Sequence, residues 1–242
     1  MVKRLFDILI SLFGLIISSP ITIPTMIAIW LQDFHHPFYI AARVGKDGKL
    51  FKMVKLRSMV VGADKTGVDS TSSADSRITA VGRFVRRYKL DELSQLWNVL
   101  KGDMSLVGPR PQVARDAALY TKVEQGLLRV RPGITDISSI VFADEGEILK
   151  DSRDPDLDYN QLIRPWKSRL GLFYIEKQSF LLDIQLIWWT AMAVLSRSRS
   201  LSGINKILVK LDADKQVIEV AKREKVLTPF PPPGADDIIK QR

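Results

Sequence analysis

From Ile8 to Leu31 no residue carries a formal charge. A run of about 24 such residues reaches about 36 Å as a straight helix, enough to cross the hydrocarbon core of a bilayer. Asp7 stands between Lys3, Arg4 and the run, and no small-x-small site closes it, so it lacks the form of a cleavable leader. Pro20, within Ser18-Ser19-Pro20-Ile21-Thr22-Ile23-Pro24, removes a helical N–H and clashes with the preceding turn, which predicts a break or kink. Nearby serine hydroxyls can take up the backbone groups freed there. Charge adds a second constraint: Lys3 and Arg4 precede the run, while Arg43, Lys46, Lys49, Lys52 and Lys55 follow it, so both ends prefer the cytoplasmic side. A helix-break-helix that enters one leaflet and returns meets both constraints. It is expected over a straight transmembrane span, with residues 1–36 as the unit and Ser19-Pro20 as its break.

The rest of the chain is long enough to bury a core. At 242 residues, one or two domains are expected, and 46% hydrophobic with 26% charged residues is a globular composition. The 36 Lys and Arg against 27 Asp and Glu give a net charge of +9, which favours phosphate-bearing partners: nucleic acid, anionic lipid or a phosphorylated substrate. With no cysteine there is no disulfide, thiolate metal site or thiol nucleophile, and the two histidines, His35 and His36, are neighbours. A zinc site or a Ser/His/Asp triad is hard to build from that inventory. For an enzyme this leaves carboxylates and a hard cation.

Two β-prone runs, residues 37–44 and 49–59, flank Gly45-Lys46-Asp47-Gly48 and predict a hairpin. A period of two puts Lys55 and Arg57 on one face, where they address one anion or form a solvated basic strand beside a membrane. Residues 61–75, rich in Gly, Ser, Thr and Asp, predict a mobile loop and candidate lid. Residues 76–87 form a basic amphipathic segment that places Arg86 on the approach to Asp91-Glu92. That acid pair opens an apolar-periodic helix ending at Gly102, and Gly108-Pro109-Arg110-Pro111 then holds Arg110 between two prolines. A further helix is expected over residues 112–129, and Arg131 is fixed beside Pro132-Gly133. Residues 144–158 read as acidic surface loop or short solvated helix. Two apolar helical runs fill residues 162–195, interfacial or core rather than spanning because of Asp183 and their length, and Trp188-Trp189 suits a headgroup boundary. After Arg199 the chain turns polar and ends in an extension with Phe230-Pro231-Pro232-Pro233-Gly234.

Acids in the first turn of a helix commonly offset its dipole or cap free N–H groups. Asp91 and Glu92 point about 100° apart on a helix, which suits two separate tasks better than one shared proton. One carboxylate serves as a nucleophile on a phosphoryl group and the other holds a divalent cation such as Mg²⁺. Like-charge repulsion in that attack demands concentrated cations, for which Lys55, Arg57, Arg86, Arg110 and Arg131 are the candidates. No Walker loop or Gly-x-Gly-x-x-Gly turn is present, and the basic segments lack interleaved aromatics, which sets nucleic-acid binding aside.

In order along the chain, Lys3-Arg4-Leu5-Phe6-Asp7, Ser19-Pro20, Arg43-Val44-Gly45, the run from Phe51 to Met59, the run from Leu90 to Ser105, Gly108-Pro109-Arg110-Pro111 and Arg131-Pro132-Gly133-Ile134-Thr135 resemble the bacterial sugar transferases. These are monotopic phosphoglycosyl transferases of the short form. The resemblance implies a mainly α fold with a small β-hairpin: a re-entrant membrane helix (residues 1–36), interfacial amphipathic helices within a compact cytoplasmic catalytic domain (37–200), and an extension (201–242) outside the family pattern. It implies transfer of a phospho-sugar from a nucleotide diphospho-sugar, UDP-linked, to polyprenyl (undecaprenyl) phosphate. The first step would be on Asp91 as nucleophile, with Glu92 as Mg²⁺ ligand and Lys55, Arg86, Arg110 and Arg131 around the phosphates and nucleotide. It also implies membrane lipids as surroundings, the cytoplasmic face of a bacterial inner membrane as location, and bacterial glycan synthesis as the process. A homodimer is an assembly the membrane surface allows. After Thr135 the chain departs from the family with Asp136-Ile137-Ser138-Ser139-Ile140 and an acidic stretch, which moves any difference to sugar and base contacts. The competing expectation is a non-catalytic, membrane-anchored binding or scaffold protein whose acid pair is a helix cap.

Overall fold

The uncharged run and the residues before it form one helix, α1 (Val2–Leu31), in a computed structural model that describes residues 2–67 and 70–240. The expected break at Ser19-Pro20 does not interrupt it. Pro20 leaves the Ile16 carbonyl without its helical N–H, and the Ser19 hydroxyl donates to that same oxygen at 2.7 Å. The hydroxyl thus replaces the missing donor and the helix runs on. Burial along α1 is confined to two arms, Asp7 and Ser11 in one and Thr25 and Ile29 in the other. In the first arm Lys3 pairs with Asp183 at 2.5 Å, and Asp7 accepts from the Ser105 hydroxyl at 2.8 Å and from Leu106 N–H at 3.2 Å. In the second, Ile29 packs into a cluster with Leu56, Val85 and Leu90.

The hairpin forms as the Asp-Gly turn predicts. Strands β1 (Phe38–Val44) and β2 (Leu50–Leu56) pair antiparallel, with Tyr39 opposite Lys55. Asp47 and Gly48 turn the chain at φ 56° and 75°, the left-handed region these residues tolerate. The helix expected from the acid pair to Gly102 is two short ones. After α2 (Ala80–Arg87), α3 (Leu90–Leu93) and α4 (Leu96–Lys101) are joined through Ser94-Gln95, and Gly102 closes α4 at φ 94°. Buried Asn98 ties α4 to the hairpin, accepting from Val54 N–H at 2.9 Å and donating to the Lys52 carbonyl at 2.7 Å.

Next comes β3 (Ser105–Val107). The helix expected over 112–129 shrinks to α5 (Ala114–Ala118) and a 3₁₀ segment, Glu124–Arg129. Glu124 is the cause: its buried carboxylate takes Arg164 at 2.5 Å, the Ser168 hydroxyl at 2.7 Å and the Thr121 N–H at 3.0 Å, drawing the backbone away from a regular helix. Strand β4 (Gly133–Thr135) then pairs parallel with β3, a contact the sequence did not announce. A Cβ on Gly133 would lie 2.1 Å from the Gly108 nitrogen, so glycine is what lets the two Pro-stiffened arginine turns meet.

The remainder is helical: α6 (Ile137–Val141), α7 (Glu145–Ile148), α8 (Pro155–Asp158), α9 (Arg164–Lys177), α10 (Phe180–Leu195), α11 (Arg197–Lys210) and α12 (Lys215–Lys222). One core gathers Met53, Val99, Met104, Ile140, Trp166, Leu186, Ile204, Leu208 and Ala221. The C-terminal extension, polar in sequence and outside the family pattern, therefore belongs to the main core. Beyond α12, Phe230 stacks 4.5 Å from Trp166, and Gln161 donates to the Ile239 carbonyl at 2.6 Å. Of the predicted loop over 61–75, Val68 and Asp69 lie outside the described residues. Beyond them the loop meets the body of the protein, with Ser70 N–H on Asp156 at 2.7 Å and Ser73 N–H on the Gly146 carbonyl at 2.9 Å.

Apolar surface stays uncovered on α1 and α10. Leu9, Phe13, Ile16, Ile17, Ile21 and Ile27 are exposed on the first, and Leu181, Ile184 and Trp188 on the second. The Phe6 and Phe180 rings meet edge to face at 5.1 Å, joining the two helices. Among the described residues α1 is the one helix long and apolar enough to cross a membrane.

Candidate active site

Asp91 and Glu92 sit in α3, whose entry is set by Lys89 in the left-handed region at φ 57°. Neither acid is the cap of this helix: its N-cap is Lys89, and no side chain caps it. Leu90 anchors the motif in the cluster with Ile29, and the Ser94 hydroxyl lies 3.1 Å from the Asp91 carbonyl and 3.2 Å from that of Val54. Each acid faces its own cation. Lys55 Nζ stands 3.7 Å from Asp91 Oδ2, and Arg110 Nη2 donates to Glu92 Oε1 at 2.9 Å.

Burial opposes the charge on Glu92, but Arg110, then Lys89 and Lys55, outweigh it and hold the carboxyl well below the usual range. Glu92 in turn pushes Arg110 up against the effect of burial. Burial and then the Arg110 charge pull Lys55 down to about 8, with Asp91 and Glu92 opposing. Burial also lowers Arg86, and Asp91 is the leading charge that counters it. Arg86 Nε donates to the Ser58 hydroxyl at 3.1 Å. Lys55, Arg86 and Arg110 thus gather about the two acids, an arrangement suited to an anionic group bearing more negative charge than one cation can balance.

Two of the predicted cations are elsewhere. Strand β2 ends at Leu56, and Arg57, buried, turns to Asp33 at 2.5 and 2.7 Å and to the His36 carbonyl at 3.0 Å. It locks the end of α1 to the hairpin and holds Asp33 down to about 2. Arg131 is exposed and donates to the Gly102 carbonyl at 2.8 Å, close to where Arg4 binds the Val99 and Leu100 carbonyls. Cationic side chains suit these final carbonyls of α4.

Beside Lys55 and Arg110 opens a cavity of ≈ 120 Å³ that also takes in Gln112, Glu145, Tyr159 and Lys167. Gln112 donates to the Tyr159 hydroxyl at 2.9 Å, and burial pushes that phenol up, so its proton stays available. Lys167 pairs with Glu145, and that charge, with Arg110, keeps the carboxyl low despite burial. In sequence Glu145 belongs to an acidic surface loop or short solvated helix; in the fold it faces the cavity. The only local hint is its place just beyond the departure from the family pattern; Lys167, which pairs with it, comes from α9. Asp136 has a different task, capping α6 through the Ser139 N–H at 2.6 Å.

Among the described residues no three metal-ligating side chains converge. The donor set still fits a hard cation held by one or two carboxylates and completed by substrate oxygens and water: Glu92 is ionised, and among the described residues its one hydrogen-bonded oxygen, Oε1, faces Arg110.

Residues 1–197 match the family described as bacterial sugar transferase. The chain is 36% identical over 213 residues to the undecaprenyl-phosphate galactose phosphotransferase of Salmonella typhimurium, covering 81% of this chain and 40% of that protein. It is 32% identical over 207 residues to the exopolysaccharide production protein ExoY of Sinorhizobium fredii, covering 79% and 84%. It is 35% identical over 192 residues to the UDP-glucose:undecaprenyl-phosphate glucose-1-phosphate transferase of Klebsiella pneumoniae, covering 78% and 39%. The chain therefore spans about two fifths of the length of the Salmonella and Klebsiella relatives. With the family pattern running from α1 through α10 and its acids facing paired cations, this chain belongs to the bacterial sugar transferase family.

Proposed function

We propose that the protein transfers a phospho-sugar from a nucleotide diphospho-sugar, UDP-linked as in the Klebsiella relative's name, to undecaprenyl phosphate. The observation that carries this is the pairing of two neighbouring acids with two different cations, Lys55 on Asp91 and Arg110 on Glu92. In the first step an Asp91 carboxylate oxygen bonds to the sugar-bearing phosphorus as the bond from that phosphorus to the bridging oxygen breaks. Nucleoside monophosphate leaves with the bridging oxygen and its electron pair. In the second step a phosphate oxygen of the polyprenyl phosphate bonds to the same phosphorus, the acyl phosphate bond breaks, and Asp91 is restored as a carboxylate.

Lys55, Arg86 and Arg110 offset the charge that gathers at the phosphorus. Glu92 would hold a Mg²⁺, which supplies charge neutralisation at the phosphate oxygens. The cavity with Gln112, Glu145 and Tyr159 receives the part of the donor beyond its phosphates.

The location proposed is the cytoplasmic face of a bacterial inner membrane, with α1 entering and leaving through one leaflet although its helix runs unbroken past Pro20, and with α10 in the interface. Support comes from the two arms of α1, which both pack on the same body, and from the apolar surfaces of α1 and α10 joined at Phe6 and Phe180. A scaffold role in which the acids only cap a helix has no cap hydrogen bond behind it. The test is Asp91→Asn: release of nucleoside monophosphate should fall on the order of 10³-fold, with no phospho-sugar retained on the protein. An undiminished rate rejects the covalent step.

A further inference from the structure

Three consecutive residues, Asp144, Glu145 and Gly146, face three different parts of the molecule. Glu145 enters the cavity beside Arg110 and Lys167. The Gly146 carbonyl accepts the Ser73 N–H at 2.9 Å, and a Cβ at Gly146 would come within 3.3 Å of the Ser73 nitrogen, so this loop lies close over α7. Ser70, three residues before Ser73, lines the same cavity. Asp144 points the other way. It sits at the N-cap position of α7 but caps nothing, and its carboxylate is taken by two arginines from the C-terminal helices. Arg197 Nη2 lies 2.7 Å from Oδ1 as an ion pair, Oδ1 itself finding no hydrogen-bond donor among the described residues, and Arg223 Nη2 donates to Oδ2 at 3.4 Å.

Arg223 is nine-tenths buried. Its guanidinium lies 5.2 Å from the centre of the Phe142 ring, and among the described residues its Nε and Nη1 find no hydrogen-bond acceptor. Among the described residues Asp144 is its one ionic partner, so Asp144 and the ring face are what compensate its burial there. The backbone at Arg223 is left-handed, φ 57°, which brings the side chain back from the end of α12. A single four-residue turn such as α7 does not hold its shape unaided. The family match ends at residue 197, so Arg223 and α12 lie beyond it.

We propose that the C-terminal helices α11 and α12, through the grip of Arg197 and Arg223 on Asp144, position Glu145 and the Ser70–Ser73 loop over the donor cavity. The extension is then part of the donor-binding apparatus, with Arg223 a positioning residue. This rests on reading the cavity as the donor subsite.

Two measurements test it on the full-length protein. The first is nucleoside monophosphate release against donor concentration for Arg223→Ala, Arg223→Lys and Asp144→Asn. Arg223→Ala should raise the donor KM about tenfold with kcat within about twofold, since uniform binding is lost and chemistry is not. Arg223→Lys should restore most of the KM, and Arg223→Ala combined with Asp144→Asn should be no worse than the weaker single variant. The second is the mobility of a nitroxide on Ser73→Cys, possible because the chain has no cysteine. The label should be ordered in the parent and mobile with Arg223→Ala, whether or not the protein turns over. An unchanged KM with an ordered label overturns the proposal, as does a loss confined to kcat or effects that multiply. If the parent releases no nucleoside monophosphate from any sugar nucleotide, the proposed function fails. The label then reports on the clamp by itself: a nitroxide still ordered in Arg223→Ala or Asp144→Asn rejects it.

Discussion

Lys55 Nζ stands 3.7 Å from Asp91 Oδ2, near enough for charge to act and too far for a hydrogen bond. The lysine is held at about 8 by burial and by Arg110. Its cationic form, which the proposed mechanism uses to draw a phosphate toward Asp91, is therefore lost as pH rises through that value. The alkaline limb of kcat/KM should fall with an apparent pKa near 8 in the free enzyme, and Lys55→Arg should move the limb upward. Stability should move oppositely. Between pH 8 and the ordinary lysine value of 10.5 the unfolded chain binds more protons than the native one, so the Lys55 contribution to unfolding free energy rises with pH. Loss of activity without loss of melting temperature over that window would separate chemistry from unfolding.

Arg110 and Glu92 form a partly buried pair, so replacing either leaves the other uncompensated. Arg110→Lys keeps the charge but not the planar fork, and kcat/KM should drop about 10- to 100-fold. Chelation of divalent metal should abolish turnover and added Mg²⁺ should restore it, with Glu92→Gln needing far more metal for half-maximal rate. Full activity in chelator would remove Glu92 from metal binding.

Topology is open to direct labelling because there is no native cysteine to interfere. Thiols introduced at Val2→Cys and Lys49→Cys should both react from the cytoplasmic side of intact membranes. Reaction from opposite sides would require α1 to span. Trp188→Glu, on the exposed face of α10, should shift protein from the membrane fraction without lowering the melting temperature.

Glu124 and Arg164 are almost fully buried and share their hydrogen bonds with Ser168 and Asn160. Glu124→Gln leaves a guanidinium buried without its counter-charge, which should cost about 3 kcal/mol. For a chain of this size that corresponds to a melting temperature lower by about 6–12 °C, measurable by calorimetry.

Local chemistry carried the legible parts. The Asp-Gly turn announced the hairpin, Gly102 the end of α4, and Pro109 and Pro111 the arginine beside the acids. What failed did so for tertiary reasons. Lys55 and Arg57 share a face only while the strand lasts, and it stops at Leu56, where Asp33 captures the arginine. Ser19 could not be assigned to Ile16 without the helix in hand. Glu145 looks solvated until Lys167, from α9, is folded against it. The extension looked polar because Ile204, Ile207, Leu208, Val217 and Ala221 are diluted by lysines and aspartates, although their spacing is helical and all five are buried.

Ile29 and Leu90 occupy one small apolar cluster, and Asp91 follows Leu90 directly. The long apolar helix proposed to enter the lipid is thereby a wall of the seat that carries the proposed nucleophile. An unrelated anchor grafted in place of residues 2–31 would return the protein to the bilayer while leaving that seat open on one side. Address and activity are written in the same thirty residues, and one should not be recoverable without the other.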